Sequence, residues 1–477
     1  MSNFIKKYHS LSNPVKVSLW FSIASFLQMG INFLTAPIFA RLLSSEEFGI
    51  VNVYNSWSIL LLIILSFSLY KSLMNLYVKY DNKEKTLSIV ISLSLLITIL
   101  WLVIFLIFYK EISALLGLSE ILSLSIFINV VFTGAINCWT IFKKYTYDYK
   151  SIILYTLLTT IISALVSIIV VVFFYQSAEG RILPRVLITA FVSIPILIAV
   201  FKKGKKIYDK EIWKFSIIFS GSLIPHYLSE FILSSSDKLM INYILDSTAV
   251  AIYSIAYTIG SIITVLTIAI NASFAPYQYQ MIKKQEYKKL SKSADTVFIL
   301  VAFFVIIIMF FSYEIVWLYG GQKYLQSASL IIPIGLGVFF NYMFQLFARV
   351  QEYFERKKMV VIPSVLAATL NIVLNLIFIP KYGFQAAAYT TFLSYALFCF
   401  IHYLFYRSTI KKYLNNQAIY NGKNLLVISA SVVVVSIAIS FINNNIIVRI
   451  IILISIIMFG LLKRKKLILT FKIFIHR

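Results

Sequence analysis

GSLIPHYLSEFILSSSDKLMINYILD, residues 221–246, sets His226, Glu230, Asp237 and Pro225 inside a chain that is otherwise a series of apolar spans. On a helix, positions 226 and 230 are four apart and positions 230 and 237 seven apart, so all three ionisable groups share one face. Counted from Trp213, Pro225 lies about 18 Å along the span, close to a bilayer midplane. Asp237 and Lys238 then fall near the outer interface. An ionisable group at membrane depth costs about 3 kcal/mol or more and is tolerated where it faces a wet cavity or a partner. Two readings follow: a helix that lines a substrate or ion pathway, or a structural pair of Glu230 with His226 beside solvated Asp237 and Lys238.

Composition decides the class. Of 477 residues, 60% are hydrophobic and 13% charged, which is too apolar for a soluble chain of this size. The net charge of +25 does not read as a nucleic-acid surface, because the cations cluster in alternate loops rather than on one patch. Cys138 and Cys399 both lie in apolar spans and imply no disulfide or metal site. No small-residue cleavage site follows the first apolar stretch, which reads as an uncleaved span.

Apolar segments of about 20 residues recur along the whole length. They fall near 17–40, 48–70, 86–108, 119–141, 151–175, 183–201, 212–236, 248–271, 294–318, 326–348, 359–379, 384–406, 424–442 and 446–462, fourteen in all. Alternate gaps, beginning with the N-terminus, hold 35 of the 43 Lys and Arg residues, and the other gaps hold 8. A wrong span count would scramble that alternation, so both termini are expected on the cytoplasmic side. The runs KKGKK (202–206), KKQEYKK (283–289) and KRKK (463–466) read as topology anchors against anionic lipid. Pro37, Pro195, Pro225 and Pro333 interrupt spans, and Pro37 and Pro225 are the expected hinges.

Sliding the chain by 202 residues lays LLSSEEFGIVNVY (42–54) on ILDSTAVAIYSIA (244–256). Leu43 meets Leu245, Ser45 meets Ser247 and Ile50 meets Ile252, with Ser44/Ser45 and Asp246/Ser247 as candidate N-caps. The expected architecture is an all-α polytopic membrane protein of about 14 transmembrane helices. Two pseudo-symmetric six-helix lobes, 1–206 and 207–415, enclose a central cavity, and 416–477 adds two spans and a basic tail.

The segments IFARLLSSEEFGIVNVYNSW (38–57), SSDKLMINYILDSTAVAIYSIAYTIGSI (235–262), LYGGQKYLQSASLIIPIGLG (318–337) and NLIFIPKYGFQAAAYTTFLSY (375–395) resemble landmarks of the polysaccharide exporters of the MATE-like (MOP) superfamily. More narrowly, they are similar to the Wzx-type flippases of O-antigen and capsule clusters. The resemblance implies a fourteen-helix fold. It also implies movement of an undecaprenyl-diphosphate-linked oligosaccharide from the inner to the outer leaflet of the bacterial cytoplasmic membrane. The lipid bilayer, and polymerase and chain-length proteins of the same pathway, are the implied partners. The family's Asp-Lys at the outer end of the seventh span matches Asp237 and Lys238.

A diphosphate calls for cations or helix N-termini. Lys71, with Asn75 beside it, is the candidate receiver at the inner face. Arg41 at the outer face is expected to pair with Asp237 across a closed outer mouth. Both cations also fit the role of ordinary snorkelling helix-end residues. Gln28 and Asn32, one turn apart, are the candidate partners of sugar hydroxyls. Asn371 and Asn375 share a face and read equally as interhelical hydrogen-bonding groups. Glu230 beside His226 is the candidate proton or sodium coupling pair, with Asp237 as gate. No GxxxxGK[ST] loop is present, so no ATP-driven step, cofactor or enzymatic activity is expected. Competing readings are a multidrug cation antiporter, which usually has twelve spans, and a peptidoglycan-precursor flippase, which has fourteen but calls for a denser arginine cavity. A membrane glycosyltransferase or polymerase would need a large outer loop or a carboxylate cluster, and the sequence has neither.

Overall fold

The computed structural model describes residues 13–442 and Arg449; the expected fourteenth span and the basic tail lie outside the described residues. Within them the chain is helical throughout, with no strand. The helices are α1 (Asn13–Leu42), α2 (Ser45–Leu65), α3 (Leu73–Lys79), α4 (Lys83–Ile107), α5 (Tyr109–Leu116), α6 (Glu120–Tyr145), α7 (Tyr149–Phe173) and α8 (Ala178–Gly204) in the first half. The second half has α9 (Lys210–Gly221), α10 (Ile224–Ile244), α11 (Ser247–Lys283), α12 (Tyr287–Phe310), α13 (Ser312–Gly320), α14 (Ile331–Tyr353), α15 (Lys357–Tyr382), α16 (Phe384–Tyr413) and α17 (Gly422–Ile442). Short 3-10 segments occupy Leu69–Ser72 and Gln322–Leu330. Among the described residues, eleven helices are long and apolar enough to cross a membrane, and α9 with α10 makes a twelfth, bent crossing. The 30-residue α1 adds to these.

Helix starts follow local chemistry. Ser44 accepts from the Glu47 amide at 3.1 Å, and Asp246 accepts from the Ala249 amide at 2.7 Å. Each thereby satisfies one orphan donor of the first turn. The helices they cap begin at Ser45 and Ser247, 202 residues apart. Both candidate caps are therefore real, and they stand at equivalent points of the two halves.

The second expected span, 48–70, is shorter than its apolar run. α2 stops at Leu65, and Phe67 and Ser68 take φ values of 50° and 48° before the 3-10 turn. Left-handed backbone at non-glycine residues is costly and ends a helix. Lys71 lies in that turn and Asn75 in the short α3, so neither ends a straight span.

The seventh span is also broken. α9 and α10 meet at Ser222–Leu223 with a 40° bend, and Pro225 occupies the first turn of α10, where its missing amide costs nothing. Pro37, by contrast, lies inside a continuous α1. The first piece of the seventh span packs on the first half, and the second piece packs on the second half and on α2 of the first. From α9, Ile212 joins Leu69, Leu73, Leu87 and Ile89 of the first half in one apolar cluster, and the Trp213 indole N–H donates to the Ile89 carbonyl at 3.0 Å. From α10, Leu233 packs with Ala367, Ala368, Tyr395 and Phe398 of the second half.

The face carrying the ends of α6, α8, α11 and α14 is rich in Lys and Arg and is called the basic face below. At the opposite face one apolar core runs through both halves, from Phe39, Phe48 and Val53 to Ile255, Tyr324 and Phe339. The basic side of the first half has its own separate core. The halves are joined at one face and part toward the other.

Candidate functional site

The opposite mouth is closed by contacts between the halves. α2 and α11 start so close together that a Cβ on Gly49 would stand 1.7 Å from the Ser247 carbonyl oxygen. Only glycine permits that approach. Arg41, at the end of α1, donates to the carbonyls of Leu318 (2.6 Å) and Trp317 (3.4 Å) at the end of α13. Lys323 returns the contact, donating to the Leu43 carbonyl at 2.7 Å. Each half thus supplies a cation to the carbonyl end of a helix in the other half. Phe33 on Tyr319 and Phe48 on Tyr324 fill the seam, with ring centroids 5.2 and 6.0 Å apart. The expected Arg41–Asp237 pair is not formed, because both groups are engaged elsewhere.

Asp237 is 2% exposed, not solvated at an interface. α10 continues to Ile244, so the residue sits within the helix rather than at its end. One carboxylate oxygen accepts from the Tyr253 hydroxyl and the Thr391 hydroxyl, each at 2.6 Å. The other accepts from the Asn375 amide at 2.7 Å. Asn371 donates to Thr391 at 3.1 Å, its carbonyl oxygen takes the Asn375 amide at 3.4 Å, and Thr390 donates to Asn375. Four helices (α10, α11, α15 and α16) meet around one carboxylate. Every donor is neutral, and no cation lies within ion-pair distance among the described residues. Lys238, next in sequence, is half-buried over the Tyr257 ring at 5.1 Å. A carboxylate taken out of water this way needs a proton or a small cation to neutralise it. The oxygens of Asp237, Asn371, Asn375 and Thr391 are ligands suited to a hard cation.

His226, Glu230 and Asp237 do share a helix, but the structure does not join them. Glu230 is exposed, His226 is half-buried with its Nδ1 unpaired, and no hydrogen bond links the two. The structural pair read from their spacing is absent. Beside His226, Tyr227 lies under Lys71, whose Nζ is 4.4 Å from that ring centroid and 4.9 Å from the Tyr70 ring. Lys71 thus stands next to the break of the seventh span rather than at a helix end. Gln28 and Asn32 are exposed one turn apart on α1, with no hydrogen-bond partner for either side chain among the described residues. Asn75 is exposed on α3.

The sixth span, expected to begin at 183, starts earlier than its apolar run. Ser177 caps α8 at Ala178, five residues before the apolar run begins, so Arg181 and Arg185 are helical and inside the first half. Asn371 and Asn375 are interhelical hydrogen-bonding groups, as one of their two readings has it, and they form two walls of the Asp237 cage. The signal available for the asparagines was their spacing of four on one apolar helix.

The family model described as "Polysaccharide biosynthesis protein" matches residues 15–282, more than half of the chain. The chain belongs to the polysaccharide biosynthesis protein family, the exporters and flippases of the MOP superfamily. A second family model, "MatE", matches residues 223–377, the part that contains the Asp237 cage. An uncharacterized membrane protein of Methanocaldococcus jannaschii is 24% identical over 248 residues, covering 51% of this chain and 48% of the relative. The chain therefore spans about half the length of the curated relative it matches. Among solved structures, "Lipid II flippase MurJ, inward closed conformation" superposes with a TM-score of 0.62 at 18% identity, covering 94% of this chain and 100% of that one. An inward-facing multidrug resistance MATE family transporter gives 0.62 at 14% identity, over 84% and 100% of the two chains. An outward-facing transporter of that family gives 0.52 at 13%, over 84% and 97%. The shared fold is that of MATE and MurJ.

Proposed function

We propose that this exporter is a flippase that carries a lipid-linked oligosaccharide, joined through a diphosphate to an undecaprenyl chain, from the basic face to the opposite face. The basic face is the cytoplasmic one, the membrane is the bacterial cytoplasmic membrane, and the product feeds a surface polysaccharide such as O-antigen or capsule. The observation that carries this reading is the two-half fold, sealed at the lysine-poor face, in a chain whose family model describes polysaccharide biosynthesis. Alternating access requires such a seal at one face at a time.

In this reading the glycan and diphosphate travel in the polar space between the halves while the lipid tail stays in the bilayer. Lys71 at the span break receives the diphosphate, with Asn75 beside it. Gln28, Asn32 and Lys238 meet the glycan head. Asp237 binds the coupling proton or sodium ion. Glu230 and His226 line the same route without forming the ion site. The covalent boundary at 206 and the packing boundary at Ser222–Leu223 differ, and the halves rock about the second. Polymerase and chain-length proteins receive the exported unit.

A second reading has an observation behind it: the likeness to a lipid II flippase makes a peptidoglycan precursor the competing cargo. Extraction of lipids from a deletion strain separates the two. Accumulated undecaprenyl-diphosphate oligosaccharide with loss of surface glycan is the expected result. Accumulated peptidoglycan precursor gives the second reading. Unaltered lipids and surface glycan sink both, and point to drug efflux.

A further inference from the structure

We infer that the first half holds a phosphoryl-binding site built from Arg181 and Arg185 of α8, with Asn55 of α2 as its floor. The inference deepens the proposed function, since it rests on a cargo that carries a diphosphate. The two arginines are four residues apart, so their guanidinium groups lie on one helix face. Arg185 is the eighth residue of α8, about 10 Å in from the helix start at the opposite face. One guanidinium nitrogen of Arg185 donates to the Asn55 side-chain oxygen at 2.9 Å, and the group stands 5.8 Å from the Tyr54 ring centroid. The Arg181 guanidinium lies 4.0 Å from the Phe39 ring centroid of α1 and has no hydrogen-bond partner among the described residues.

Charge balance makes the pair unusual. Two carboxylates at the start of α8 are engaged by other groups: Glu47 accepts from the Ala178 amide, and Glu179 accepts from the Ser119 hydroxyl at 2.9 Å. No acidic side chain is within ion-pair distance of either arginine among the described residues. Arg449 provides the contrast in the same molecule, because it is paired with Glu314. Snorkelling to water does not describe the pair either. Phe39 and Asn55 hold the two groups inward, against α1 and α2. Two adjacent half-buried guanidinium groups without a counter-charge repel each other and lose hydration. An anion with several oxygens removes both penalties, and the planar forks of arginine fit phosphoryl oxygens bidentately. A diphosphate presents such oxygens to both forks at once. Lys71 by the span break and this pair beyond it then form two successive stations for one diphosphate, the second nearer the exit.

The test uses the full-length protein in lipid nanodiscs with inorganic pyrophosphate as probe, titrated calorimetrically at constant ionic strength. Saturable binding to the unaltered protein is expected. Arg181→Gln and Arg185→Gln each weaken it by about tenfold or more, the loss of one charge-assisted contact. Arg185→Lys keeps the charge and falls between. Lys110→Gln, an exposed cation of the opposite face, leaves binding unchanged. Absence of saturable binding, equal binding by Arg185→Gln, or binding of glucuronate in place of pyrophosphate overturns the site. This titration involves no transport. A wrong cargo assignment therefore shows in the lipid extraction and leaves pyrophosphate binding intact, whereas a wrong site shows here alone.

Discussion

The interiors of the two halves share a scaffold and differ in sign. In the second half the buried charge is Asp237, enclosed by neutral donors. In the first half the Arg181–Arg185 pair is half-buried and faces an amide and two aromatic rings. Sliding by 202 residues puts Thr35 of α1 where α10 has Asp237, so the repeat keeps the helix and changes the charge. The difference teaches that the pseudo-two-fold fixes geometry only. One half is chemically equipped for a cation and the other for an anion. The exchange proposed above, of a phosphorylated cargo against protons or sodium, needs both.

Removing the negative side is expected to have the largest effect. Asp237→Asn keeps the shape and abolishes the charge, so cation affinity falls by about tenfold to a hundredfold. Ion-driven transport in inverted vesicles is lost with it, while the fold survives. Full ion dependence in that variant would end the contrast between the halves. Asp237→Ala leaves Tyr253, Thr391 and Asn375 without their shared acceptor, and costs about 2–4 kcal/mol of stability on thermal unfolding.

Next in size is the seam where the two halves meet. Gly49→Leu cannot coexist with the close approach of Ser247 and is expected to hold the opposite mouth open. Arg41→Ala with Lys323→Ala removes both cation–carbonyl contacts and shifts the balance by about tenfold to thirtyfold toward opening. Labelling of a Gln28→Cys reporter by an impermeant maleimide at the opposite face reads both changes. The native cysteines, Cys138 and Cys399, are buried and give little background. Unchanged labelling would show that these contacts do not close the mouth.

The smallest effect belongs to a pair outside the exchange. Asp148 caps α7 at the basic face. Partial burial there raises its proton affinity, but hydrogen bonds from Lys143 at 2.5 Å and the Ser151 hydroxyl at 2.7 Å outweigh it and hold the carboxyl below its usual 3.8. A depressed folded-state value means the contribution is complete above that range and fades as pH falls through it. Acid melting curves of Asp148→Asn and the unaltered protein should therefore converge below about pH 4 and stay apart by about 1 kcal/mol or less above it. A constant separation at all pH values would show that the cap, not the charge, stabilises α7.

Topology was legible because it depends on local quantities. Of the fourteen apolar runs expected, those within the described residues fall on the long helices and on the bent α9–α10 crossing, and Ser44 and Asp246 marked two equivalent starts. The sites were less legible. Asp237 seemed superficial because the apolar run ends at 236, whereas Pro225 restarts a helix that carries on to Ile244. Its partners Tyr253, Asn375 and Thr391 come from three other helices, and no spacing connects them. Arg181 and Arg185 were hidden by polar residues that look like loop and are the first turns of α8. Lys71 was expected at the end of the second span and lies in the 3-10 turn after it, beside Tyr227 from a distant segment.

The broken seventh span has a mechanical consequence. α9 is bound to the first half, and α10 packs on α15 and α16 of the second half while also touching α2 of the first across the seam, so the chain passes from one half toward the other at the two-residue step Ser222–Leu223. The loop at 205–209 joins α8 and α9, which pack in the same apolar cluster of the first half. Such a step is a flexure: it bends about one short line, resists sliding and twisting, and returns elastically. In the alternating access proposed above, a step of that kind favours one bending path, shared by every cargo.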